Sequence, residues 1–217
     1  MSIKLPCMFT VMCMFALSLT ACQMLDFANL MTKPGAVLFQ DDFSNPASGW
    51  TRLVSPVGIM DYDGGGYRFL VNAIDHNYWS TPGKEFRDVR IEVDSAKLAG
   101  PDENRLGVVC RYQDAQNYYF FVISSDGYYA IGKVKGGQTS LLGQEQMQYS
   151  EAIVRRGAVN HLTVECMSSA LRFFVNGLPV ALAQDADFLS GDVGLLAGTF
   201  DQAGVDVLFD DFMVTKP

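Results

Sequence analysis

Glu92 and Asp94, in VRIEVDSA, are two carboxylates on alternate residues of a strand-like segment. Alternate strand residues project to one face. A retaining sugar hydrolase needs two carboxylates about 5–5.5 Å apart across the scissile bond, one a nucleophile and one an acid/base. The residues that follow, Ala96 and Lys97, supply no further acid. Glu92 and Asp94 therefore read first as solvated carboxylates, and no residue is assigned a catalytic role. No Gly-x-Ser-x-Gly elbow is present, and two histidines, His76 and His161, suggest no acyl-transfer triad. With no short Cys or His spacing, a zinc-type site is not expected either.

Sugar recognition asks for flat aromatics against the apolar face of a pyranose and planar polar groups for its hydroxyls. Residues Arg105–Lys135 offer both. The stretch reads as three antiparallel strands, Arg105–Gln113, Tyr118–Ser124 and Tyr128–Val134, rich in Val, Ile, Tyr and Phe. Asp126-Gly127 suits a two-residue type I′ hairpin, which would pair Ser125 with Tyr128 and Phe121 with Gly132. A four-residue first loop would pair Cys110 with Phe121. Alternation then separates two faces. Leu106, Val108, Cys110, Tyr112, Tyr119, Phe121, Ile123, Ala130 and Val134 form the expected core face. The other face carries Arg105, Arg111, Gln113, Tyr118, Phe120, Tyr129, Ile131 and Lys133. Arg111, Tyr118, Phe120, Tyr129 and Lys133 are the expected ligand-binding residues. Trp79 reads as either a loop aromatic beside them or a core residue.

Asp41-Asp42-Phe43 and Asp210-Asp211-Phe212 are near-copies at the two ends of the domain. If the end strands lie side by side, Asp42 and Asp211 could hold a structural Ca²⁺, which takes six to eight oxygens. The alternative is that they charge an edge strand against aggregation. Cys110 and Cys166 both fall on inward strand positions, so a disulfide is expected between them, with two buried thiols as the alternative.

Residues 1–21 read as a secretory signal: Lys4, then an apolar run too short to prefer spanning a membrane. The segment ends Leu19-Thr20-Ala21-Cys22, which resembles a bacterial lipobox. That resemblance implies cleavage before Cys22, acylation of Cys22, and an extracytoplasmic protein held on a membrane of the cell envelope by lipid. Residues 22–35 form a short tether. Loss of Lys4 takes the net charge from −8 to −9. Bulk charge thus argues against nucleic acid or anionic headgroups as partners.

Residues 36–217 suffice for one well-buried domain and fall short of two. Twenty Gly, fifteen Phe and nine Tyr, with no convincing amphipathic helix, indicate an all-β chain. Further strands are expected at Ala36–Phe43, Tyr67–Asn72, Val89–Ala96, His161–Met167, Leu171–Asn176, Leu178–Leu182, Asp192–Thr199 and Val205–Val214. Trp50 is placed as a cap on the core. Regular strands between turn signals predict an antiparallel two-sheet β-sandwich.

The order LFQDDFSNPASGW, GVVCRYQDAQNYYFFVISSDGYY, LRFFVNG, GDVGLLAG and FDDFMV resembles the concanavalin A-like lectin/glucanase jelly roll. It is most similar to family 16 glycoside hydrolases and 3-keto-disaccharide hydrolase-type domains. Family 16 enzymes carry E-x-D-x-x-E or E-x-D-x-E, and only Glu92 and Asp94 match. The resemblance implies a non-catalytic module binding polysaccharide or another glycan. A structural or protein-interaction domain of the envelope is the second reading. A glycosidase or lyase with a different carboxylate pair is the third.

Overall fold

The computed structural model describes residues 33–217. The signal segment, Cys22 and most of the tether lie outside them. The described residues contain strands and no α-helix, and so no helix long and apolar enough to cross a membrane. In chain order the strands open with β1 (Val37–Asp41), β2 (Leu53–Ser55), β3 (Gly58–Asp63), β4 (Gly66–Val71) and β5 (Asn77–Ser80). Next come β6 (Val89–Ala99), β7 (Asn104–Asp114), β8 (Asn117–Ile123), β9 (Tyr128–Lys135), β10 (Gln138–Leu141) and β11 (Gln148–Tyr149). The last are β12 (Asn160–Met167), β13 (Ala170–Val175), β14 (Leu178–Gln184), β15 (Asp192–Thr199) and β16 (Val205–Thr215).

They form two antiparallel sheets. The larger has nine strands in the order β14-β13-β12-β6-β16-β4-β3-β2, with β1 beside the C-terminal half of β16. The smaller has seven, β10-β9-β8-β7-β15-β5, with β11 on β9. The expected antiparallel sandwich is therefore the fold. Strand alternation explains its core: Phe69, Ile91, Leu162, Phe173 and Val207 of the large sheet face Val108, Phe121 and Leu195 of the small one. Cys110 on β7 and Cys166 on β12 form a disulfide that ties the two sheets together across this core.

Trp50 is buried against Phe43, Tyr67 and Phe212, and its indole N–H donates to Asp41 at 2.8 Å. Asp41 thus serves the core while its neighbour Asp42 faces solvent, as alternation requires.

The small sheet departs from the expected registers at two points. Phe121 pairs with Ile131, and Phe120 with Gly132. The turn holds three residues, Ser125-Asp126-Gly127, with Gly127 at φ 107°. Asn104 causes the slip: it accepts from the Ser125 amide at 3.1 Å and donates to the Ser125 hydroxyl at 2.9 Å, pulling Ser125 out of the ladder. A one-residue slip inverts every side chain of the strand. Ile131 therefore enters the core, Tyr129 packs against it and Lys133 turns the same way, while Ala130 and Val134 move to the outer face.

The second departure is in β7. Cys110 pairs with Tyr119, and Asp114 with Asn117, with a bulge between. Arg111 sits in that bulge at φ 52°. An extra residue re-aims the side chains around it. Arg111 turns inward and Tyr112 turns outward, the reverse of simple alternation.

Candidate functional site: an aromatic groove on the small sheet

The outer face of the small sheet carries its own apolar layer: Val109, Tyr118, Phe120, Val122, Ala130, Val134 and Leu196. The layer is unusual in that a solvent-facing sheet side normally alternates to polar residues. Over it lies a groove of about 360 Å³, within the range of small-molecule sites. Tyr118, Phe120, Val122, Ala130 and Leu196 make its floor, and Leu141 and Met147 line its wall. Asp75, Asn77, Arg105 and Phe200 add a polar end. Gly132 has a reason here: a Cβ would sit 2.2 Å from the Phe120 ring, so a larger residue would displace that ring.

At Tyr118 the groove meets an aromatic cluster. The Trp79 and Tyr112 rings each lie 5.7 Å from the Tyr118 ring, and 6.4 Å from one another. Trp79 and Tyr112 are half-buried and keep ring surface open to solvent. The β7 bulge supplies Tyr112, and β5 supplies Trp79 opposite Leu196. Tyr118 itself is only 4 % exposed, and burial pushes its phenol up to about 12. Its hydroxyl has no protein hydrogen-bond partner among the described residues. No side-chain N or O sealed from solvent lacks one, so this hydroxyl opens onto the groove.

Of the expected ligand residues, the groove gathers Tyr118 and Phe120 and excludes three. Arg111 is 1 % exposed and structural. It donates to the carbonyls of Ser168 at 2.6 Å and Phe188 at 2.8 Å, with Asp88 3.3 Å away. Lys133 points the other way, to Asp185 and Asp187. Tyr129 packs against the sandwich core. Trp79, Tyr112 and Arg105 complete the site. Trp79, expected either as a loop aromatic beside the ligand residues or as a core residue, lies beside them on strand β5, and Tyr112 was hidden by the bulge.

Glu92 and Asp94 share a face of β6, as expected, but β6 belongs to the other sheet. Glu92 is bound by Arg90 at 2.9 Å, and Asp94 by His161 at 2.7 Å. They line a separate cleft of about 590 Å³ together with Asp42 and Asp211. That cleft does bring the two chain ends together. Among the described residues no three or more His, Cys, Asp or Glu are arranged to hold a metal ion. The aromatic groove has one carboxylate in its lining, Asp75, not the pair that sugar hydrolysis employs.

No protein-family model and no curated protein sequence matches the chain. Solved structures do. The carbohydrate-binding module CBM66 from Bacillus subtilis superposes with a TM-score of 0.63 at 18 % identity, over 77 % of this chain and 96 % of that one. A galectin-like protein of unknown function from Bacillus subtilis gives 0.61 at 13 % identity, over 86 % and 98 %. The GH43 protein BlXynB from Bacillus licheniformis gives 0.60 at 16 % identity, over 82 % of this chain and 39 % of that one. Identities this low speak to the fold. The neighbours agree with a concanavalin A-like sandwich, and the resemblance to family 16 hydrolases rests on sequence alone.

Proposed function

We propose that the chain is a carbohydrate-binding module that holds glycan in the aromatic groove without cleaving it. The observation that carries this reading is the Trp79–Tyr118–Tyr112 cluster beside the unpartnered Tyr118 hydroxyl. Clustered rings offer apolar faces to a pyranose, and the hydroxyl can both donate and accept. The kinship in fold with a carbohydrate-binding module supports it.

We further propose that the module is exported and anchored through lipid on Cys22. The disulfide supports export, since such bonds persist in oxidising compartments. Palmitate labelling of the full chain is expected to disappear in Cys22→Ser, and unchanged labelling would remove the anchor.

A glycan array probed with the full chain tests the binding. At least one glycan is expected to bind, several-fold more weakly to Trp79→Ala and to Tyr118→Phe. A folded chain that binds nothing on the array would replace this reading with an interaction domain of the envelope.

A further inference from the structure

Arg105 closes one end of the groove with a weakly paired charge. Its side chain is 20 % exposed. Nη1 donates to Asn77 Oδ1 at 3.1 Å and to the Thr199 carbonyl at 2.9 Å. Gly198 makes this possible, because a Cβ there would sit 2.0 Å from Asn77 Oδ1. The guanidinium also stacks over Phe200, with Cζ 3.8 Å from the ring centre. Its plane is thus fixed from two sides. Nη2 is left with one carboxylate, Asp75, at 3.7 Å and 86 % exposed. Exposed pairs of that length contribute little. Arg52, Arg68 and Arg90 by contrast meet carboxylates at 2.6–3.0 Å. Burial lowers the Arg105 pKa, which marks a charge paired less well than its surroundings require.

A planar, oriented guanidinium is built to take a carboxylate through two parallel N–H bonds. Tyr118, a residue only 4 % exposed, also presents an unpartnered hydroxyl to the groove. We propose that the groove selects a sugar bearing a carboxylate, a hexuronate or a sialate. The carboxylate displaces Asp75 at Arg105 Nη2, and the ring lies over Tyr118 and Phe120. This inference rests on the carbohydrate-binding reading. The net charge of −8 repels polyanions at long range, but that repulsion is screened beyond about 8 Å at physiological salt. Selection is therefore local to Arg105.

The test is calorimetric titration of the full chain with two matched pairs. Polygalacturonate is compared with its methyl ester, and sialyllactose with lactose. The acid member of one pair is expected to bind at least about tenfold tighter than its neutral partner, and the pair tells uronate from sialate. Arg105→Gln should bring the acid form down to the level of the neutral one. Asp75→Asn, at a side chain that is 86 % exposed, should raise acid-form affinity several-fold by removing the competing anion. Acid and neutral forms bound equally would overturn the inference and leave carbohydrate binding standing. An acid preference that survives Arg105→Gln, or acid binding unmoved by Asp75→Asn, would also overturn it. Binding to neither member of either pair, by a chain that binds other glycans on the array, overturns the inference alone. Binding to no glycan overturns both readings.

Discussion

Arg111→Ala should cost this protein about 3–5 kcal/mol of stability and reach the glycan contacts only through the bulge that carries Tyr112. The magnitude follows from what the guanidinium touches. It is 1 % exposed and holds the Ser168 carbonyl at 2.6 Å and the Phe188 carbonyl at 2.8 Å. Hydrogen bonds from a charged donor contribute about 1.5–3 kcal/mol each, and buried acceptors left alone cost about 1–3 kcal/mol each. Set against this, removal of the arginine relieves its own desolvation, the burial that holds its pKa below the ordinary value. A net loss of about 3–5 kcal/mol is in the range seen when one partner of a buried charged contact is deleted. At about 2–4 °C per kcal/mol for a domain of this size, the melting temperature should fall by roughly 6–20 °C. Arg111→Met keeps the packed stem and loses only the donors, so it should fall between the two. Thermal melts by circular dichroism give the shift, and titration with whichever glycan binds gives the affinity. A loss under about 1 kcal/mol, or weaker glycan binding at unchanged stability, would refute the structural role and return Arg111 to the ligand site.

Three further outcomes are expected. Replacing Cys110 and Cys166 by alanine should lower stability in urea by about 4 kcal/mol, the loop-entropy value for a sequence separation of 56, and an unchanged midpoint would mean the bond constrains nothing. Lys133 and Lys135 hold Asp187 below the usual carboxylate range; burial alone would raise Asp185, but Lys133 and the Tyr119 hydroxyl outweigh it and lower it too. Depressed acids stabilise the fold above their unfolded value, near pH 4, and lose that contribution as pH falls through the folded value. Lys133→Met should therefore destabilise at pH 7 and converge with the unaltered chain as pH falls through the lowered folded values of Asp185 and Asp187. If Asp42 and Asp211 hold Ca²⁺, EDTA should lower the melting temperature, and no shift would dispose of the ion.

Alternation made much of this fold legible. Asp192–Thr199 is a strand over the residues expected of it, and the inward Cys110 and Cys166 are joined. The failures share one physical cause. A period-two argument carries any one-residue error to every later side chain of the strand. The Asp126-Gly127 signal marked the right hairpin, but Asn104, which lies 21 residues earlier and binds Ser125, decided its length. No local pattern contains that information. The β7 bulge is equally non-local, since the carbonyls that draw Arg111 inward lie 57 and 77 residues away. The same bulge presents Tyr112 beside Tyr118 and Trp79. The burial of one arginine and the exposure of one tyrosine are thus two results of a single inserted residue. An aromatic face assembled this way rests on a buried guanidinium held by backbone carbonyls beneath it. Glycine at position 111 would test that link from the backbone side: it accepts φ 52° freely, so Arg111→Gly should keep the bulge, and with it Tyr112, better than Arg111→Ala does, although both lose the guanidinium.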